Sequence, residues 1–313
     1  MNTTTKKISI VIPVFEAEEI VSPLVKKIND SVDLSNNENE LILVDDGSYD
    51  NSWKMIEKES KKGSDILGIK LSRNFGQHYA ILAGLNQARG EIIIVMDCDL
   101  QHDPTYIKDL IYEFDKGYDI VFSVMENKKF NFFKNFTSFL FYKIYNFLLD
   151  DKNLKVSTST GDFTIFSRKV LDEYLKLDDY KRHHVMVLKW LGFKTSEIKI
   201  EHKMRKSGRS TYTLQKLFSL AFDTIIFNSN KVLNYFIGTG LLISGLAFLG
   251  ILYIMINSIF FNYIQGWPSL FVIILFSTGL IILSIGVLGL YIGKTFDQTK
   301  NRPKYIVEKS TIE

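Results

Sequence analysis

The sequence predicts an α/β domain on a mainly parallel sheet with flanking helices, followed by two transmembrane helices. Three observations predict it. Between residues 8 and 124, short apolar runs alternate with helix patterns. Two of those runs end in paired acids, Val44-Asp45-Asp46-Gly47-Ser48 and Met96-Asp97-Cys98-Asp99. Two later stretches, 232–259 and 269–292, carry no charged residue.

The elements follow in order. Ile8 to Val14 reads as a strand, and Ala17 to Ile28 as a helix. Leu41 to Val44 is a second strand, after which Asp50 can cap a helix running to about Lys61. Ile66 to Leu71 is a third strand, and Gly76 to Ala88 a helix ended by Gly90. Ile92 to Met96 is a fourth strand, Pro104 opens a helix at a favoured first-turn position, and Asp119 to Val124 is a fifth strand. Continuous apolar strands alternating with helices imply a sheet covered on both faces. Ligands of such sheets bind beyond the strand C-termini. Glu16, Asp45, Asp46, Arg73, Asn74, Asp97 and Asp99 all fall there.

Each uncharged stretch exceeds the ~20 residues needed to cross ~30 Å of hydrocarbon. Lys231 precedes the first, and Lys294, Lys300, Arg302 and Lys304 follow the second. The positive-inside tendency then puts residues 1–230 and the tail 295–313 in the cytoplasm, with the linker 260–268 outside. The expected organisation is a domain over 1–230, a membrane domain over 231–294 and the tail, in a multi-pass plasma-membrane protein. The stretch 128–149 is helical, basic and aromatic, and too polar to span; it reads as an interfacial helix, as does 213–227.

The formal net charge of +3 and pI near 8.6 give no ground for a nucleic-acid partner, and none is expected. The single cysteine, Cys98, excludes an internal disulfide and fits a reducing compartment. Met1 to Thr5 is short and polar and leads straight into a strand, so no cleaved signal peptide is expected.

The chemistry concentrates at Asp97-Cys98-Asp99. Two carboxylates one residue apart at a strand end are hard oxygen ligands suited to Mg²⁺ or Mn²⁺ bridging a diphosphate. In sugar transfer from a nucleotide donor, such a cation neutralises the leaving diphosphate as the anomeric bond breaks. Asp99 is the expected direct ligand beside Asp97, and Gln101 can approach the same metal or phosphate. Asp45 or Asp46, and Glu16, can accept hydrogen bonds from a base or ribose. Arg73 can pair with a phosphate or with a neighbouring carboxylate. No His-x-x-x-His or Cys/His cluster points to zinc. His183 and His184 either line a sugar pocket or are ordinary surface residues.

Several segments together resemble family 2 glycosyltransferases of the GT-A fold: Ile10-Val11-Ile12-Pro13-Val14-Phe15, Val44 to Ser48, Arg73 to His78, Asp97 to Gln101, and Gly161-Asp162-Phe163. Gly286 to Gly293 and Arg302-Pro303-Lys304-Tyr305 narrow the resemblance to the polyprenyl-phosphate branch. That branch includes bactoprenol glucosyltransferase, undecaprenyl-phosphate 4-deoxy-4-formamido-L-arabinose transferase and dolichyl-phosphate mannose synthase. The resemblance implies an inverting transfer of a sugar from a nucleotide-diphosphate donor to polyprenyl (undecaprenyl) phosphate, for cell-envelope glycan assembly or modification. It puts Asp97, Asp99 and Gln101 at the metal and diphosphate, and Pro13, Phe15, Glu16 and Asp46 at the nucleoside. It puts Lys134, Ser138, Arg205 and Arg209 at the acceptor phosphate, with Lys134 where relatives have arginine. It also implies a homo-oligomer, a tetramer fitting that expectation. Asp162 joins the catalytic set by the same resemblance. A phosphate monoester is already anionic near neutral pH, so Asp162 is expected to orient acceptor or sugar more than to abstract a proton.

Two other readings remain open here. A processive polysaccharide synthase of the same superfamily typically carries Gln-x-x-Arg-Trp, which this sequence lacks. A catalytically inactive membrane scaffold is disfavoured by the complete Asp97, Asp99 and Gln101 set. The donor stays open among UDP-linked glucose, N-acetylglucosamine or an amino-arabinose derivative, and GDP-mannose.

Overall fold

The computed structural model describes residues 7–34, 39–63, 65–126, 160–178, 183–201, scattered positions between 235 and 249, and 266–311. The described residues fall into two compact units. One holds the described residues up to 201 together with those from 302 onward, and the other holds those between 235 and 301.

In the first unit, β1 (Ile8–Val14), α1 (Glu18–Ser31), β2 (Asn39–Asp45), α2 (Ser52–Ser60), β3 (Ile66–Leu71), α3 (Gln77–Leu85) and β4 (Ile92–Val95) alternate as expected. A 3₁₀ turn at Pro104–Tyr106 then leads into α4 (Ile107–Phe114) and β5 (Ile120–Glu126). The expected proline start holds: Asp103 caps the turn by accepting the N–H of Thr105. Further on come β6 (Thr160–Ser167), α5 (Arg168–Lys176), α6 (His184–Trp190), β7 (Thr195–Glu201) and β8 (Val307–Ser310).

Among the described residues the strands form one sheet in the order β7-β5-β6-β4-β1-β2-β3-β8. Its centre, β4-β1-β2-β3, is parallel. The sheet is mixed but mainly parallel, as expected, for β5 and β7 also pair in parallel. β6 runs against both β4 and β5, and β8 against β3.

Side chains alternate between two buried layers. Ile10, Ile12, Leu41, Leu43 and Ile94 pack with α1, α2 and α4 on one face. Val11, Ile42, Val44, Ile93 and Val95 pack with α3, α5 and α6 on the other. With both faces covered, the strands are apolar where they cross the core, as at Ile10 to Ile12, Leu41 to Val44 and Ile92 to Val95.

The tail beyond residue 301 is not a free segment. Val307–Ser310 adds an antiparallel edge strand to β3, and Gly68 and Thr311 exchange backbone hydrogen bonds of 3.0 Å and, through the threonine hydroxyl, 2.8 Å. Tyr305 OH accepts from Asn86 at 3.1 Å, and Lys304 pairs with Asp178 at 2.6 Å.

In the second unit, α7 (Trp267–Thr299) is 33 residues long. Ile273, Phe276, Ile282, Ile285 and Ile292 are each exposed. Among the described residues one helix is long and apolar enough to cross a membrane, over Phe276–Thr299. The other expected span, 232–259, falls largely outside the described residues, as do the segments 128–149 and 213–227.

Candidate active site

The site lies at the C-terminal ends of β1, β2 and β4, where four loops meet. Serine and acidic side chains lace the first two loops. Ser48 Oγ accepts the N–H of Glu16 at 3.0 Å, and Ser52 Oγ that of Ala17 at 2.9 Å. Asp50 accepts the N–H of Glu18 at 3.2 Å and that of Ser52 at 3.0 Å. It thus serves the starts of both α1 and α2, and Glu18 returns the service by accepting the N–H of Asn51 at 2.9 Å.

The third loop is tied in by Asp46. Its two oxygens accept the N–H groups of Phe75 at 2.8 Å and Gly76 at 2.9 Å. Gly47 makes the approach possible. Its φ is +68°, and a Cβ there would lie 2.3 Å from the carbonyl carbon of Arg73. Arg73 itself is exposed, with its guanidinium 4.1 Å from the Phe75 ring centre.

The fourth partner comes from β6. Val95 pairs with Thr164 in the antiparallel β4–β6 ladder. Continuing that register sets Asp97 opposite Asp162. The side-chain amide of Gln77 joins them, donating to Asp97 Oδ1 at 2.6 Å and to Asp162 Oδ2 at 3.1 Å. Burial, and then the Asp162 and Asp99 carboxylates, push the Asp97 carboxyl well above the usual range. Asp99 Oδ1 accepts the N–H of Gln101 at 3.0 Å, and Leu100 between them has φ +57°. Glu16, at the end of the neighbouring strand, has φ +47°. Such sparsely populated backbone conformations concentrate at functional sites.

The sequence-derived residues therefore divide. Asp97, Asp99, Gln101 and Asp162 come together. Phe15 and Glu16 are exposed beside them, with Pro13 buried beneath. Asp45 is fully buried, with Oδ1 accepting the Ser48 N–H at 3.0 Å and Oδ2 without a protein partner. Asp46 is also buried, and its hydrogen bonds go to the protein's own loop. Lys134, Ser138, Arg205 and Arg209 lie outside the described residues. Sequence reasoning gave Gln77 no role, although it stands inside the quoted Arg73 to His78 segment. His184 is fully buried, with Thr164 Oγ1 at 3.2 Å and Tyr174 OH at 3.4 Å from its ring nitrogens, so it lines no pocket. Burial pushes its pKa down to about 3, so the ring is neutral. Cys98 is held as the thiol, its pKa pushed up to about 12 by burial and by Asp97.

Among the described residues no group of three His, Cys, Asp or Glu side chains is arranged to hold a metal. The Asp97/Asp99 pair nonetheless fits a divalent cation that draws its other ligands from a diphosphate. Its donors are hard oxygens, and burial, with the neighbouring Asp162 and Asp99 carboxylates, disfavours ionisation of Asp97 until a positive charge arrives.

A family model described as glycosyl transferase family 2 matches residues 9–175, from β1 through most of α5. The chain belongs to glycosyltransferase family 2. Several members of that family match nearly end to end. The uncharacterized glycosyltransferase YkcC of Bacillus subtilis is 35% identical, covering 96% of this chain and 93% of its own. A prophage bactoprenol glucosyl transferase homolog of Escherichia coli is 33% identical over 97% and 99%. The undecaprenyl-phosphate 4-deoxy-4-formamido-L-arabinose transferase of Proteus mirabilis is 32% identical over 97% and 93%. Among solved structures, glucosyl-3-phosphoglycerate synthase of Mycobacterium tuberculosis, in complex with Mn²⁺, UDP and glucosyl-3-phosphoglycerate, superimposes with a TM-score of 0.52. It is 17% identical over 71% of this chain and 78% of that one, a likeness of fold alone. This family 2 chain is thus a glycosyltransferase with the α/β GT-A fold.

Proposed function

We propose that this glycosyltransferase moves a sugar from a nucleotide-diphosphate donor to polyprenyl phosphate, with inversion, on the cytoplasmic face of the plasma membrane. The observation that carries the reading is the meeting of Asp97, Asp99 and Asp162 beyond the C-terminal end of β4, in a chain whose near-full-length relatives are named for bactoprenol and undecaprenyl phosphate.

In this reading Phe15 offers its exposed ring to the nucleobase, and Glu16 a carboxylate to the nucleoside. Asp45 and Asp46 are buried and shape the pocket, Asp45 by holding the Ser48 N–H and Asp46 by fixing the 73–76 loop. Arg73, exposed on that loop, faces the phosphates. Asp97 and Asp99, with Gln101, would hold Mg²⁺ or Mn²⁺, which when bound neutralises the leaving diphosphate as a Lewis acid. Asp162, across from Asp97, orients the acceptor phosphate. An acceptor oxygen, already anionic, bonds to the anomeric carbon as the bond to the diphosphate breaks, and the nucleotide departs with that electron pair. Lys134, Ser138, Arg205 and Arg209 would hold the acceptor phosphate near the headgroup layer.

Sheet topology supports the membrane arrangement. β8 follows α7 in the chain yet belongs to the same sheet as β1 to β7. The chain therefore leaves and returns on one side of any bilayer it enters. If α7 crosses once, a second crossing lies between residues 202 and 266, where the uncharged stretch 232–259 stands. The charge asymmetry then places that common side in the cytoplasm.

The test is incubation of membranes holding the protein with labelled nucleotide sugars and undecaprenyl phosphate, followed by organic extraction. Label in the organic phase supports the proposal. Label in polymer points to a synthase, and no label with any donor to an inactive scaffold.

A further inference from the structure

Asp97 and Asp162 come from different strands and meet with one neutral group between them. The amide nitrogen of Gln77 donates to Asp97 Oδ1 at 2.6 Å and to Asp162 Oδ2 at 3.1 Å. An amide carries two N–H hydrogens, so both bonds form at once. Without them, two carboxyl groups facing each other at a buried site would be left with no donor between them. The amide is also aimed from a fixed point. Gln77 is the first residue of α3, and Gly76 before it holds φ +106° with its N–H bound by Asp46.

We infer that Gln77 is a positioning residue for sugar transfer, holding Asp162 in register with Asp97. Asp97 and Asp99 serve the diphosphate, and Asp162 serves the acceptor. Gln77 thus fixes the distance between the two halves of the reaction. Its bond uses Oδ1 of Asp97 and leaves Oδ2 for a cation. The role needs a side chain of this length with at least two donors. Lysine satisfies that requirement, and methionine, of similar shape, does not.

The kinetic side of this inference rests on the proposed transfer reaction, and the structural side does not. In purified, metal-free protein, Gln77→Met should lower the melting temperature. Adding Asp162→Asn should recover most of that fall, because the new amide can donate to Asp97 in place of the lost Gln77 donor. Gln77→Lys should show no fall. In the transfer assay, Gln77→Met should lower kcat roughly 10- to 100-fold, the effect of a misplaced reacting group. The donor KM, and the Kd for UDP or GDP titrated with Mn²⁺, should stay within about threefold, and Gln77→Lys should keep kcat within about fivefold of wild type. The inference is overturned if Gln77→Met melts like wild type, if Asp162→Asn restores nothing, or if the kinetic loss falls on nucleotide affinity alone. A wild-type protein that labels no lipid contradicts the proposed function instead, and the melting comparison still decides what Gln77 does.

Discussion

Oδ2 of Asp46 lies 2.9 Å from the backbone nitrogen of Gly76 and accepts its N–H. Together with the bond from Phe75, this makes one carboxylate the clamp between the β2–α2 turn and the loop that opens α3. Burial outweighs those bonds and raises the Asp46 pKa to about 6. The folded protein therefore holds this proton more tightly than the unfolded chain does. The contribution of Asp46 to stability is fully present below its ordinary pKa near 3.8 and is lost as the pH rises through about 6. Asp46→Asn does not titrate, so the urea midpoint of the variant should gain on wild type between about pH 4 and pH 7. A difference that stays constant with pH would contradict this assignment.

Gly47→Ala should be strongly destabilising. The new methyl group would sit 2.3 Å from a backbone carbon of Arg73, at φ +68°, so the third loop must move. A loss of about 2 kcal/mol or more is expected in equilibrium unfolding. Affinity for UDP or GDP with Mn²⁺ should fall too, since Arg73 and Phe75 shift together. Wild-type stability would show that the two loops separate without cost.

Much of the site was legible in the sequence because its residues end strands whose apolar runs are unmistakable. Ile92 to Val95 buries all four side chains, so the run announces both the strand and the loop after it, where Asp97 and Asp99 stand. The partner of Asp97 was harder to see. Asp162 reaches it only because β6 inserts antiparallel between β4 and β5, a pairing between residues distant in sequence. Gln77 depends on that same register. β8 could not be read at all, since Val307–Ser310 is short and exposed and becomes a strand only against β3. The buried state of Asp46 was likewise hidden, because a strand-end acid looks the same in sequence whether it faces a ligand or a neighbouring loop.

The edge strand itself is testable. Lys304→Ala removes an ion pair whose partner Asp178 is 80% exposed, so it should cost no more than about 1 kcal/mol. Truncation after Lys304 strips the backbone partners of β3 and removes Tyr305 from Asn86. That variant should melt several degrees lower, by about what 1–2 kcal/mol produces, and aggregate more readily through the opened edge. Equal melting of the truncated and intact proteins would show that β8 adds nothing to the sheet.

The membrane arrangement predicts a labelling pattern. On a Cys98→Ser background, a cysteine replacing Gln265 should react with an impermeant maleimide added to intact cells. A cysteine replacing Lys309, in β8, should react only after the membrane is opened. Labelling of both positions from outside would break the requirement that the chain leaves and returns on the cytoplasmic side.

The central claim is metal-assisted transfer at the Asp97/Asp99 pair, and one measurement reaches it most directly. Labelled sugar passing from nucleotide donor to undecaprenyl phosphate is counted for wild type and Asp99→Ala, each with Mn²⁺ or Mg²⁺ and again in excess EDTA. The account predicts that wild type labels the lipid only with the metal. It predicts that Asp99→Ala stays folded and loses activity on the order of 10³-fold, the several kcal/mol that a metal ligand supplies. Full wild-type transfer in excess chelator, or an Asp99→Ala variant as active as wild type, would contradict it.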